Sequence, residues 1–167
     1  MKIIFSYLQK FWTASIRRQL MLGIILVHAV LMSIFVFDLV ERQREFLHLQ
    51  SIEQAKSLST TLAANSVSWI LANDVIGLEE TVRSQINYPS LRYAMILSPE
   101  GRVLGHTDRN KVGLYINDSV SAKLLTSKKE QAVLVNDYLS IDVASPVTSG
   151  GKFIGWARVN LTQKDTT

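Results

Sequence analysis

Cysteine is absent from this sequence of 167 residues. The chain therefore has no disulfide framework, no thiolate zinc site and no cysteine nucleophile. Glycine and proline are also missing from residues 39–73, a stretch that can form a helix without either of the residues that most often interrupt one. We find no internal repeat and no low-complexity segment, which excludes the repeat architectures.

Acidic residues are missing from the first 37 positions, which hold four basic side chains. These four account for the net charge of +4, because basic and acidic side chains balance in the remainder. A nucleic-acid-binding domain would need a basic face on its folded part, whereas this sequence concentrates its excess charge in the N-terminal tail. We therefore expect no nucleic-acid partner.

Charge of either sign is missing from the 19 residues between Arg18 and Asp38. As a helix with a rise of about 1.5 Å per residue they would span roughly 28 Å, close to the ~30 Å hydrocarbon core of a bilayer. The apolar region of a cleaved signal peptide is shorter, about 7–15 residues. We predict one uncleaved membrane helix over residues 19–40. Because the basic residues precede it, residues 1–18 should be a cytoplasmic tail, and the rest should lie on the other side of the membrane. In a bacterium that would be the periplasm, with the chain anchored to the inner membrane.

Beyond the membrane segment, apolar residues recur every three or four positions. This period predicts a helix that leaves the membrane without a break, and a parallel pairing with a second copy in a homodimer. The residues with this spacing are Leu39, Phe46, Leu49, Ile52, Leu58, Leu62 and Trp69. The stretch ANDVIG (72–77) should end this helix, and GLEETVRSQI (77–86) should form a second one, capped by Asn73 or Asp74.

After Tyr88 and Pro89 the apolar period changes to two, which is typical of strands. We predict five antiparallel strands in LRYAMIL, RVLGHTD, QAVLVND, YLSIDVASPV and KFIGWARVNL. A helical turn, SVSAKLLTS, separates the second strand from the third. The predicted fold class is α+β, in which a transmembrane helix leads into a long helix packed on a five-stranded antiparallel sheet.

Two segments resemble a known family of sensor domains. YAMILSPEGRVLGHTDRNKVG (93–113) resembles its strand–turn–strand unit that ends in His and Gly, and VASPVTSGGKFIGWARVNLT (143–162) resembles its final hairpin. The family comprises the extracytoplasmic Cache, or periplasmic PAS-like, domains of bacterial sensor histidine kinases, chemoreceptors and diguanylate cyclases. The resemblance implies a PAS-like sensor domain over residues 41–163 with a tail at 164–167. It also implies a small-molecule ligand, and it implies that an output enzyme, if there is one, lies outside this chain.

The resemblance further implies site residues, with two departures. In the citrate and C4-dicarboxylate sensors, the histidine that matches His106 and nearby arginines bind carboxylates. One of those arginines falls on Val103 here and the other on Asp142. Because an acid repels a carboxylate, we expect a ligand that bears an amine, such as an amino acid, received by Asp142 beside the small side chain of Ala144.

Strand register decides which residues of the first hairpin meet. A four-residue loop, SPEG, would place Leu97 opposite Arg102 and Tyr93 opposite His106 on one face of the sheet. Arg102 and His106 would then lie about 13 Å apart along the strand, too far to hold one small group together. We therefore expect Arg102 to be a solvated hairpin end, and Tyr93 and His106 to line the pocket. The alternative for His106 is a structural histidine bonded to the backbone.

The second hairpin leaves two alternatives for Asp142. A three-residue loop at 149–151 would place Asp142 directly opposite Arg158 in a cross-strand ion pair, which contributes about 0.2–1 kcal/mol. A two-residue loop would move Asp142 opposite Val159 and break that pair. Asp142 and Arg158 are accordingly either structural partners or members of the ligand site.

Neither a catalytic site nor a metal site is expected. One histidine, His106, with one nearby acid supplies too few ligands for a metal ion. Ser145 has no histidine at a usable spacing, and Glu79 and Glu80 are more typical of a solvated helix face than of a general acid–base pair. No cofactor is predicted. The leading hypothesis is a sensor module that binds a small solute as the input of a histidine kinase or diguanylate cyclase. The alternative is a membrane-anchored interaction protein without a small ligand.

Overall fold

The computed structural model describes residues 16–137 and 139–162. Its first element, helix α1, extends over Ile16–Ala72 without interruption, as the scarcity of glycine and proline predicts. Contacts along the chain divide the molecule into two compact units, Met1–Phe46 and Leu47–Thr167. Most of the predicted cytoplasmic tail and all of the predicted tail at 164–167 lie outside the described residues.

In the first unit, α1 presents exposed apolar side chains around its whole circumference. They include Leu20, Ile24, Leu31 and Phe35. A helix that is apolar on all sides belongs either in a protein core or in a membrane. Within residues 16–137 and 139–162, this is the one helix long and apolar enough to cross a membrane, and it contains the predicted span at 19–40. Its orientation stays a prediction.

In the second unit, α1 ends at a turn that leads directly into a short helix, α2, Val75–Arg83. Asn73 has a positive φ of 53°, a conformation that terminates helices. The side chain of Asp74 then accepts hydrogen bonds from the backbone N–H groups of Ile76 and Gly77, each at 3.0 Å. The predicted cap is therefore confirmed for Asp74, and α2 begins two residues earlier than the stretch 77–86.

Five antiparallel strands form a sheet in the order β2–β1–β5–β4–β3. The strands are β1 Leu91–Leu97, β2 Val103–His106, β3 Ala132–Asn136, β4 Ser140–Ser149 and β5 Lys152–Thr162. All five predicted strands are present, with ends within two residues of the prediction. The predicted helical turn is a helix of two turns, α3, Ser119–Thr126, between β2 and β3.

Both faces of the sheet are covered. The inner face packs against α1 and α2 through an apolar core that includes Leu62, Leu78, Ile96, Val143 and Val159. The outer face lies under α3 and carries a second apolar cluster that includes Leu97, Leu124 and Trp156. Because side chains alternate along a strand, the polar residues of β4 and β5 that do not enter the inner core also lie on the outer face.

Some of the regularly spaced apolar residues of α1 pack in the core of the second unit. Ile52 and Leu62 are buried against the sheet, and Leu58 packs beside them. These three residues therefore do not support the predicted helix pair, whereas Leu49 and Trp69 remain exposed. The homodimer stays a prediction.

Candidate functional site

The first hairpin brings His106 beside Tyr93, although not in the predicted register. The N–H of Ser98 donates to the carbonyl of Arg102 at 2.8 Å and closes a loop of five residues instead of four. An irregularity between Ile96 and Leu97 shifts the register by one more residue, so Met95, not Tyr93, lies opposite His106 and the predicted direct pairing is wrong. The ring of Tyr93 stacks on His106 from the diagonal position, with centroids 5.7 Å apart and an angle of 22° between the planes.

The second hairpin also differs from the preferred three-residue loop. Ser149 pairs with Lys152 across the two glycines 150 and 151, whose positive φ angles of 56° and 79° are typical of a two-residue hairpin turn. An irregularity further along shifts the register by one more residue, so that Asp142 lies opposite Asn160 and Ala144 lies opposite Arg158.

Asp142 and Arg158 nevertheless form an ion pair across the diagonal of β4 and β5. Nε of Arg158 donates to Oδ1 of Asp142 at 2.8 Å, and Nη2 donates to Oδ2 at 2.8 Å. Only 1% of Asp142 and 4% of Arg158 is exposed. Burial by itself lowers the pKa of Arg158, but the hydrogen bonds and charge of Asp142 outweigh it and raise the pKa. The guanidinium is therefore charged and fixed in place.

Two further donors complete the surroundings of Asp142. Oη of Tyr93 donates to Oδ2 at 2.5 Å, and Nδ2 of Asn160 donates to the same oxygen at 3.2 Å. Burial and then the charge of Asp142 raise the pKa of Tyr93, so its hydroxyl stays a neutral donor. Asp142 is enclosed, so a ligand ammonium could reach it only if the side chains around it moved apart. The role of Asp142 as an amine receptor stays a prediction.

His106 is nearly buried, with 3% of its surface exposed. Its Nδ1 accepts the backbone N–H of Asp108 at 2.8 Å, the kind of bond expected of a structural histidine. Burial, followed by the charge of Lys111, lowers the pKa of His106, and Asp108 opposes this only partly. The ring is then neutral with its proton on Nε2, because Nδ1 is the acceptor. Within the described residues this Nε2–H has no acceptor.

Helix α3 is attached to the ion pair through its first turn. Oγ of Ser121 accepts from Nη1 of Arg158 at 2.7 Å and donates to Oδ2 of Asp118 in a short hydrogen bond. Asp118 caps α3 by accepting the N–H of Ser121 at 2.9 Å, and its Oδ2 lies 4.0 Å from Nη1 of Arg158. Burial raises the pKa of Asp118, but the bonds from Ser121 and the charge of Arg158 outweigh it and lower the pKa. Asp118 is therefore ionised.

We name this group of side chains the outer polar cluster. Its members are Tyr93, His106, Asp118, Ser121, Asp142, Arg158 and Asn160. Four of the five predicted site residues belong to it. The fifth, Ala144, is fully buried and packs in the neighbouring apolar cluster beside Met95 and Trp156.

Sequence reasoning missed three members of the cluster. Asp118 directly precedes the predicted helical turn, which is the position and residue type of an N-cap. Ser121 lies one turn later, and Asn160 lies two residues after Arg158 on the same face of β5. These patterns were available in the sequence, but the approach of α3 to Arg158 depends on the path of the whole segment between β2 and β3.

The other residues considered for chemistry have structural partners. Ser145 lies on the inner face, where its Oγ is 2.7 Å from Oγ of Ser59 and accepts from Gln131 at 2.9 Å, so it joins β4 to α1. Glu79 accepts a hydrogen bond from Arg109 at the surface of α2. Over 16–137 and 139–162, no group of three or more acidic or histidine side chains could hold a metal ion.

Comparison with solved structures agrees with this architecture. The sensor domain of DcuS from E. coli matches with a TM-score of 0.50 and 12% identity, over 68% of this chain and 92% of that one. The extracellular domain of vpHK1S-Z8, a protein described as a histidine kinase, matches with a TM-score of 0.53 and 10% identity, over 72% of this chain and 55% of that one. At such identities the matches show the fold. None of the curated proteins matches the chain.

Family membership comes from the sequence itself. The profile of the family described as single Cache domain 3 matches residues 42–167, three quarters of the chain. Domains of this family are non-catalytic and serve as extracytoplasmic sensors, generally of small molecules. The match begins one residue after the predicted start of the sensor domain, and it includes the whole sheet. The chain therefore belongs to the single Cache domain 3 family, with a long apolar helix leading into its PAS-like sensor domain.

Proposed function

We propose that this chain is a membrane-anchored sensor module that binds a small solute at the outer polar cluster and passes the signal across the inner membrane through α1. The supporting observation is the Nε2–H of His106, which makes no hydrogen bond to a described residue and lies at an accessible edge of an otherwise nearly buried ring. It lies beside Tyr93, on the sheet face that α3 covers. A solute with an acceptor group would complete this set of hydrogen bonds.

The buried ion pair supports the same proposal. Replacing a buried ion pair with well-packed apolar side chains is often neutral or stabilising, so such a pair is weak evidence of a role in stability. Charged groups in a desolvated, covered position are typical of binding sites. Asp142 and Arg158 occupy such a position, and Ser121 links them to a covering helix.

To pass a signal across the membrane, the domain must have two structural states, and the solute must bind one of them more tightly. A solute shifts an equilibrium only by its differential affinity for two states. Strands β4 and β5 carry the outer polar cluster on one face and contact α1 through the other, where Ser145 meets Ser59. A change in these strands can therefore alter the packing of α1, and α1 continues to Ile16.

The finer points of the proposal concern partners and output. We propose a homodimer that associates through α1 outside the membrane, with the N-terminus in the cytoplasm. The output would be a histidine kinase or a diguanylate cyclase encoded beyond these residues. The solute would be small enough to fit under α3.

Thermal unfolding of the full chain in detergent micelles tests solute binding. A solute at 100 times its Kd adds about 2.7 kcal/mol to the stability, which should raise Tm by roughly 5–10 °C. The panel contains amino acids, amines and carboxylic acids. His106→Phe keeps a ring beside Tyr93 but removes the N–H donor, so it should abolish the response. Arg102→Gln, a change at the exposed hairpin end, should retain it.

The outcomes separate the proposal from its alternative. A response that survives His106→Phe would place the solute elsewhere in the domain. A full chain that responds to no small solute, and whose outer face stays closed, would favour an interaction protein without a small ligand.

A further inference from the structure

We infer that Asp118 determines which charge a solute may carry at the outer polar cluster. In this structure Asp118 and Ser121 occupy the edge of Arg158 that a solute carboxylate would need. Asp118 therefore disfavours plain carboxylates and favours solutes that also carry an ammonium group. The inference rests on the proposed binding of a solute at this cluster, and it assigns to Asp118 the role that the sequence suggested for Asp142.

The hydrogen bonds of Arg158 show on which side of its guanidinium a solute could bind. Nε and Nη2 are held by the two oxygens of Asp142, a buried and bidentate arrangement. Nη1 faces α3, where it donates to Oγ of Ser121 at 2.7 Å and lies 4.0 Å from Oδ2 of Asp118. A solute carboxylate can bind Arg158 only on this remaining side, in competition with Asp118.

The two acids differ in what they offer a solute. Asp142 is enclosed and already accepts from Arg158, Tyr93 and Asn160. The side chain of Asp118 is 54% exposed, and it accepts hydrogen bonds from the backbone and hydroxyl of Ser121. A carboxylate oxygen has more than one lone pair, so Asp118 can accept a further hydrogen bond from an ammonium group that arrives from solvent.

The balance of charge points the same way. The outer polar cluster holds one guanidinium against the carboxylates of Asp118 and Asp142, and His106 is neutral. A carboxylate brought to this site meets an excess of one negative charge, whereas a zwitterion brings its own compensating cation. Electrostatic selection of this kind acts by penalising the wrong charge as well as by rewarding the right one.

A simpler account is that Asp118 only caps α3. Asparagine caps helices about as well as aspartate does, so Asp118→Asn keeps the cap and removes the charge. Asp74→Asn makes the same change of cap at α2, outside the outer polar cluster, and is the matched control. If capping were the whole role of Asp118, the two variants would have the same effect on solute preference.

The test uses pairs of solutes that differ by one ammonium group, L-alanine with propionate and L-phenylalanine with 3-phenylpropionate. Binding to the full chain in detergent micelles is followed by NMR signals of the His106 and Tyr93 rings. In the unaltered chain the amino acid of a pair should bind more tightly than the plain acid. We compare the Kd of the plain acid divided by the Kd of the amino acid. In Asp118→Asn this ratio should fall by about tenfold or more, because the amino acid binds less tightly and the plain acid binds more tightly. In Asp74→Asn the ratio should not change.

Two results would overturn the inference, for different reasons. If solutes perturb the ring signals but the ratio is the same in Asp118→Asn, the proposed site stands and the role of Asp118 is wrong. If no solute of either pair perturbs the signals in any variant, the proposed binding of small solutes at this cluster fails, and the inference fails with it.

Discussion

At the scale of single residues, the outer polar cluster shows how much a buried charge depends on its partners. Arg158 lies in the sheet because Asp142 accepts two of its N–H groups and Ser121 accepts a third. Each of these bonds is short and desolvated, which makes the members interdependent. Removal of one member should therefore cost more than the mean value of a hydrogen bond.

Asp142→Ala should destabilise the domain by about 3–5 kcal/mol, because it leaves the Arg158 guanidinium buried without its carboxylate. The double variant Asp142→Ala/Arg158→Met should recover much of that loss, since it replaces the pair by apolar groups. Urea unfolding of the three proteins measures both effects. A single variant that costs less than about 1 kcal/mol would show that water reaches the guanidinium and that the pair is not desolvated as the structure has it.

His106 should make the stability depend on pH. Its pKa in the folded protein is lower than the ordinary value of 6.5, mainly because of burial, so the unfolded chain binds a proton more readily than the folded one. The free energy of unfolding should therefore be constant at high pH, and fall as the pH decreases from about 6.5 towards the lowered pKa. Unfolding curves between pH 5 and 8 test this for the unaltered chain and for His106→Gln, in which the dependence should be weaker. If the free energy of unfolding changed equally with pH in both proteins, His106 would not be the source of the pH dependence.

At the scale of elements, the sheet depends on one close approach between β1 and β5. A Cβ added to Gly155 would lie 2.3 Å from the carbonyl oxygen of Leu97, a backbone atom that cannot move without disturbing the strand. At Gly105 the nearest atom to an added Cβ is Cγ2 of the Val82 side chain, at 3.2 Å. The two glycines therefore differ in what a methyl group would displace.

Gly155→Ala should destabilise the domain by about 1–3 kcal/mol, the range for overpacking that requires a backbone shift. Gly105→Ala is the matched control and should cost clearly less, because a side chain can adjust. Thermal unfolding of the full chain compares the two. Similar losses in both variants would mean that β1 and β5 separate easily at this point.

At the scale of the whole molecule, α1 is the element that links the apolar first unit to the sensor domain. Between residues 57 and 72 it carries no charged side chain, although one side of it is exposed. Packing of a second helix on this side would therefore bury no charge, and the burial of a charge is costly. The proposed homodimer would use this surface rather than the apolar residues that the sheet already buries.

Crosslinking of single cysteines placed along α1 tests the proposed helix pair in membranes. The natural chain contains no cysteine that would interfere. Crosslinks should form at the exposed positions Ser57, Thr61, Ala64 and Ser68. They should be absent at Leu62 and Ser66, which the sheet covers. Uniform crosslinking at all six positions would indicate random collision, and none at any position would indicate a monomer.

The sequence by itself determined the elements of this protein. Periodicity of 3.6 and of two gave the long helix and all five strands, because the apolar residues of an element must face whatever buries them. The absence of charge from Gln19 to Phe37 indicated the membrane segment. The residue type of Asp74 indicated an N-cap for α2. These are local properties, which depend on residues a few positions apart.

The tertiary structure alone decided which polar side chains meet. Loop lengths other than those expected, together with an irregularity in each hairpin, changed the register, so Asp142 reached Arg158 diagonally and His106 lay opposite Met95. The position of Asp118 beside Arg158 depends on the segment between β2 and β3, whose path is set by the packing of Leu124 against the outer face. Such contacts join residues far apart in the chain, and the free energy that selects them belongs to the packed domain rather than to any local pattern.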